Sequence, residues 1–96
     1  MRRLKLLVSP LVSVGNDLVA TVSAEGVDTA LVYLEYPDNL RVSGQDKTEI
    51  ELSGAPVTLS WKIISLSHAR SAMIEVKVLS GNLYQAGIAK VFSACD

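Results

Sequence analysis

The sequence predicts an all-β protein, a sandwich of about seven to eight short antiparallel strands in two sheets, and three observations carry that expectation. Apolar and polar residues alternate strictly in Val57-Thr58-Leu59-Ser60-Trp61-Lys62-Ile63 and again in Ile74-Glu75-Val76-Lys77-Val78, the period of a strand with one buried face. Turn-forming clusters recur about every 8–12 residues, the spacing of an all-β sandwich. Almost no segment shows helical periodicity. Such strands hide their apolar faces only where two sheets pack together or one sheet closes into a barrel, and the turn spacing favours the sandwich.

The elements follow in order. Leu4, Leu6 and Val8 oppose Lys5 and Ser9, and Pro10 interrupts pairing before a short run over 11–14, as expected of proline at an edge or bulge. Gly15-Asn16-Asp17 is turn chemistry, after which Leu18, Ala20 and Val22 oppose Val19, Thr21 and Ser23. Beyond the turn at 25–28, the strand over 29–36 is apolar on both sides: Val32, Leu34 and Tyr36 on one, Leu31 and Tyr33 beside Glu35 on the other. Pro37 ends it, lacking a donor for the ladder. A short extended piece, 40–42, leads through 43–46 to Ile50 and Leu52, which alternate with Glu49 and Glu51. After the Trp61 strand, 65–71 reads as a loop. The Ile74 strand then leads into Ser80-Gly81-Asn82, a hairpin turn in which glycine and asparagine tolerate positive φ. The last strand, about 84–93, has uncertain parity: Ile88 and Phe92 share a side with Lys90, and Ala89 and Val91 lie opposite. A bulge or burial on both sides is expected there.

Length and charge bound the function. Ninety-six residues make one domain, which buries roughly 60–65% of the surface its unfolded chain exposes. Apolar residues make up 49% and charged residues 20%, a globular rather than a disordered profile. Nine basic and ten acidic residues are scattered, with a net charge of −1 and no basic run longer than Arg2-Arg3, so nucleic acid is not an expected partner. No segment has the roughly 20 apolar residues of a membrane span. The basic start followed by Leu6-Leu7-Val8 resembles the opening of a secretory signal, but Ser9, Pro10 and Ser13 interrupt it and a strand is the better reading.

At Leu34-Glu35-Tyr36-Pro37-Asp38-Asn39-Leu40-Arg41-Val42 an alternating strand ends at a proline and returns as Leu-x-Val. This pattern, continued by Leu59-Ser60-Trp61-Lys62-Ile63 and Met73-Ile74-Glu75-Val76-Lys77-Val78, resembles bacterial and archaeal immunoglobulin-like modules of the CARDB-like type, named for cell adhesion in bacteria. The likeness covers roughly residues 17–80. Two turns depart from the family pattern: Glu25-Gly26-Val27-Asp28 stands where an Asn-x-Gly turn is usual, and Ser67-His68-Ala69-Arg70 lacks the usual glycine. The resemblance implies an immunoglobulin-like β-sandwich and a non-catalytic interaction, adhesion or spacer module, with no catalytic residues, cofactor or metal to transfer. It also implies a surface or secreted location if the chain is an excised module; a chain complete as written would be cytoplasmic.

His68 is the single histidine available as a base, and no glycine-flanked elbow surrounds the neighbouring serines, so a solvated loop histidine is preferred over a hydrolase. One histidine and one cysteine make no transition-metal centre. Asp17, Asp28, Asp38, Asn39 and Asp46 could offer oxygens to calcium, but without the spacing of a calcium loop. Trp61 reads as a core aromatic, and Cys95 as a terminal thiol, with intermolecular pairing the alternative. A small-molecule ligand is not expected. Leu31 and Tyr33 are the candidate partner contact, since apolar residues in a row on an outer side can mark an interface. The simpler reading is that a loop or the N-terminal segment covers them; self-association or a protein partner is the other.

Overall fold

In the computed structural model, which describes residues 2–93, nine strands form without a helix among the described residues. They are β1 (Arg3–Val8), β2 (Leu11–Ser13), β3 (Asp17–Glu25), β4 (Thr29–Glu35), β5 (Leu40–Val42), β6 (Lys47–Glu51), β7 (Val57–Leu66), β8 (Ser71–Ser80) and β9 (Leu83–Phe92). One sheet has the order β1-β3-β7-β5 and the other β2-β9-β8-β4-β6. Nine strands replace the expected seven or eight because two short pieces pair as strands. β5 joins β7, and β2 runs parallel to β9, the exception to an otherwise antiparallel arrangement. A chain this short can bring two stretches together in parallel because Ser9-Pro10 carries it from one sheet to the other. Ser9 still donates its backbone N–H to Val19, whereas the Pro10 carbonyl accepts from Lys90 in the opposite sheet.

Strict alternation places the core. Leu18, Ala20 and Val22 of β3, Ile63 of β7, Ile74, Val76 and Val78 of β8, and Ala89 and Val91 of β9 are fully buried. Trp61 is buried as expected, and its indole N–H donates to the Gln45 carbonyl at 3.2 Å. The residues expected to oppose it, Thr58, Ser60 and Lys62, are exposed.

Two expectations are corrected. β7 runs on to Leu66, shortening the expected loop to 67–70. Within it, Arg41 pairs with Ser65 while Val42 pairs with Ile63, so Ile64 is an extra residue. That bulge turns Ile64 outward and lets both Ile63 and Leu66 meet the core, which a regular strand cannot do at a spacing of three. The bulge or two-sided burial expected in the last strand is absent: β9 pairs β8 without interruption from Ser71↔Phe92 to Ser80↔Leu83. Ala89 and Val91 point inward, and Ile88 and Phe92 are exposed.

The two sheets meet most closely where β1 crosses β9. A Cβ built on Gly87 would lie 2.7 Å from Val8 Cγ2 and 3.2 Å from Val8 Cβ, so only glycine lets the strands approach this far. The hairpin to β9 uses glycine differently: Gly81 has φ +59°, the positive value a two-residue hairpin turn of type II′ needs at its first central position.

The segment 43–46 is fastened to both sheets. Gln45 accepts from Trp61 of β7, the Asp46 carbonyl accepts from Leu34 N–H of β4, and Tyr36 Oη donates to Asp46 Oδ1 at 2.7 Å. That hydrogen bond to a carboxylate, helped by burial and by the Asp46 charge, pushes the Tyr36 phenol from its ordinary 10.0 up to about 12.

Gly87→Ala is expected to cost about 1–3 kcal/mol in denaturant unfolding. Val8→Ala made on top of it should relieve part of that cost, so that the two changes are less than additive. Tyr36 gives a pH signature. Its folded value lies above its unfolded one, so its contribution is complete below pH 10.0 and is lost as pH rises through about 12. Phenolate absorbance should show a titration near that upper value that Tyr36→Phe removes, and the stability gap between the two proteins should close across the same interval.

Candidate functional site

Because β4, β8 and β9 each commit one side to the core, the alternate residues of all three form the outer face of the five-stranded sheet. The pairing aligns them in rows. Leu31, Leu79 and Tyr84 make one row, Tyr33, Lys77 and Ala86 the next, and Glu35, Glu75 and Ile88 a third. Further along, Met73 lies beside Lys90 and Lys90 beside Leu11; Phe92 follows between Ser71 and Ser13. Among the described residues, six of the eight large apolar side chains that are exposed sit here: Leu11, Met73, Leu79, Tyr84, Ile88 and Phe92. The other two, Leu7 and Ile64, belong to the four-stranded sheet.

The face is apolar at both ends and ionic in the middle. Lys77 Nζ lies 2.6 Å from Glu35 Oε1 and 3.5 Å from Glu75 Oε1, and 5.7 Å from the centre of the Tyr33 ring. The bond to Glu35 is the main reason the ammonium is held above the usual lysine pKa; partial burial opposes it, and the charges of Glu35 and Glu75 add to it. Lys77 is thereby held over the aromatic ring with its stem along the sheet. Leu31, Tyr33 and Leu79, with Asp46 and Lys47 at the rim, line an open depression of about 470 Å³.

Leu31 and Tyr33 are half-buried, and neither a loop nor the N-terminal segment covers them. β1 lies in the other sheet and β2 on the far edge of this one, beyond β9. Their partial burial comes from neighbours within the sheet, Leu79 and Lys77 of β8 and Glu49 and Lys47 of β6. The two departures from simple alternation, at Leu31 and Tyr33 and at Ile88 to Phe92, therefore lie on one surface, separated by β8.

Sequence reasoning missed Met73, Leu79, Tyr84 and Leu11. A strand read as 74–78 shows only Glu75 and Lys77 on its outer side; at its full length, Ser71–Ser80, the same period adds Met73 and Leu79. That flanking pair was the available signal. Leu11 had none, because its face depends on the parallel pairing with β9.

The remaining candidates are dispersed. His68 is exposed in the 67–70 loop with φ 58°, and among the described residues no serine hydroxyl bonds its ring. Asn39 anchors that loop, donating from Nδ2 to the Ser67 carbonyl and accepting at its own carbonyl from Ser67 N–H. Asp17, Asp28, Asp38 and Asp46 occupy four different turns or strand starts. Among the described residues no group of three or more histidine, cysteine, aspartate and glutamate side chains is placed to hold a metal. Among the described residues no helix is long and apolar enough to cross a membrane. Cys95 lies outside the described residues. No family model and no curated protein matches the chain.

The face assignment can be tested at neighbouring positions. Ile88→Glu should change stability by less than about 0.5 kcal/mol. Ala89→Glu, one residue on, buries an unpaired carboxylate and should cost more than about 4 kcal/mol or prevent folding. Equal effects at the two positions would mean the parity of β9 is wrong.

Proposed function

We propose that this protein is a non-enzymatic, immunoglobulin-like module that works by protein contact through the outer face of its five-stranded sheet, as an interaction, adhesion or spacer unit. The observation that carries the reading is the concentration of exposed large apolar side chains on that face, where six of the eight among the described residues lie. Scattered apolar residues are normal on any surface, whereas a contiguous apolar surface with polar neighbours is a mark of interfaces.

The immunoglobulin-like part is supported by sheet order. Taken as strands A to G, β1-β3-β7-β5 follows A-B-E-D, and β9-β8-β4 follows G-F-C with β6 in the C′ place. Division of the first strand between the sheets, with the second half parallel to the last strand, fits the same scheme. The chain departs from it in visiting β5 before β6 and in carrying its core tryptophan on β7. The CARDB-like pattern over 34–42 agrees with a module of this kind. Fold alone assigns no function; the surface chemistry is what supports this reading.

A photoreactive phenylalanine analogue placed at position 88 tests the reading in cells that make the protein. Cross-linked protein adducts are expected from position 88 and not from position 60, on the outer side of β7. No adduct from positions 73, 84 and 88 would overturn it, as would a hydrolytic activity that disappears in His68→Ala.

A further inference from the structure

We propose that the partner of this face is a second copy of the chain, joined across a two-fold axis that lies between the two sheets and perpendicular to β8. The inference rests on the reading of the outer face as a protein contact. Its basis is the order of side chains along the two strands at the centre of the face. The outward residues of β8 run Met73, Glu75, Lys77, Leu79, which reversed is apolar, cationic, anionic, apolar. Laid antiparallel on itself about the midpoint of Glu75 and Lys77, β8 sets each Lys77 against Glu75 of the second copy and each Leu79 against Met73.

β9 is carried along by the same operation. Tyr84, Ala86, Ile88 and Lys90 share rows with Leu79, Lys77, Glu75 and Met73, so Tyr84 comes to face Lys90 of the second copy, and Ala86 faces Ile88. The first is a cation over an aromatic ring; the second closes apolar surface. On β4, Tyr33 faces Glu35 of the second copy, a hydroxyl against a carboxylate. The operation is isologous and closes at two.

Two other axes in the plane fail on charge. A two-fold running along β8 sets Lys77 on Lys77 and Glu75 on Glu75, and one perpendicular to β8 through the third row again sets Glu75 on Glu75. Like charges brought together across an interface oppose association, so of these three arrangements the ionic centre favours the first. Packed sheets keep strand directions within about 30°, which this antiparallel apposition allows. Outward positions about 4.8 Å apart across strands and about 6.7 Å apart along them, four each on β8 and β9, three on β4 and two on β6, present about 400 Å². The complex therefore buries on the order of 800–1,000 Å² in total, below the standard size for a specific interface, and the dimer should be weak and reversible.

Sedimentation of the full chain under reducing conditions, so that Cys95 cannot contribute, tests this between about 10 µM and 1 mM, the range for a small interface. A monomer–dimer equilibrium is expected. Ile88→Glu should weaken it at least about tenfold, and Glu75→Lys, which sets a cation against Lys77 of the second copy at both symmetric contacts, should do the same. Glu75→Lys combined with Lys77→Glu restores opposite charges across the axis and should recover dimerisation to within about threefold of the original. Melting curves establish that each variant is folded. A monomer throughout the range overturns the proposal, and so does a dimer insensitive to Ile88→Glu or a charge swap that fails to rescue. Adducts from position 88 to a different protein, together with a strict monomer, would leave the contact face standing and remove only the second copy.

Discussion

The structure depends on the burial of one side of β8. This strand is paired along its length with β9 and over half of it with β4, and its Ile74, Val76 and Val78 are fully enclosed between the sheets. An extended chain sends successive side chains to opposite sides, so committing those three to the core commits Met73, Glu75, Lys77 and Leu79 to the other side. The neighbours inherit the choice through the ladder, since paired residues share a side. One hydrophobic contact between two sheets thus decides the composition of a surface that takes no part in it.

The margins of the sandwich are handled by local exceptions to the same regularity. Ser9-Pro10 moves the N-terminal segment from one sheet to the other, and Gly87 lets β1 pass close over β9. Ile64 is squeezed out of β7 so that Leu66 regains the core beside Leu40. The 43–46 segment ties β7 to the end of β4 through Trp61, Leu34 and Tyr36. Apart from Gly87, which lies within β9 and leaves its ladder with β8 unbroken, each exception sits near a strand end or between strands, where a lost ladder bond costs least and a changed direction helps close the core.

The outer face combines two properties that pull against each other. Its exposed apolar side chains favour contact, and a wholly apolar sheet face would associate without preference for register or partner. Lys77, held between Glu35 and Glu75 over Tyr33, places charge at the centre, where any apposition that brings like charges together is unfavourable. Charges of this kind add little to affinity when solvent reaches them, but they discriminate among arrangements that apolar contact alone would not separate.

Much of the fold was legible in the residues themselves. Val57 to Ile63 and Ile74 to Val78 carry their period openly, their inward sides are the core sides, and the strand boundaries fall near glycine, proline and asparagine turns. The site was half legible: Leu31 and Tyr33 stood out because both sides of their strand are apolar, and Ile88 and Phe92 because they broke parity. Which side of each strand faces out, and that both strands contribute to one surface, came from pairing across β8. The same holds for Leu11–Ser13 and Leu40–Val42, which are too short to show a period and become strands through partners distant in sequence. By itself the sequence determined period, since alternation is a property of consecutive residues. Tertiary structure alone decided register and neighbourhood, because those are relations between segments, set by which apolar sides can be buried together.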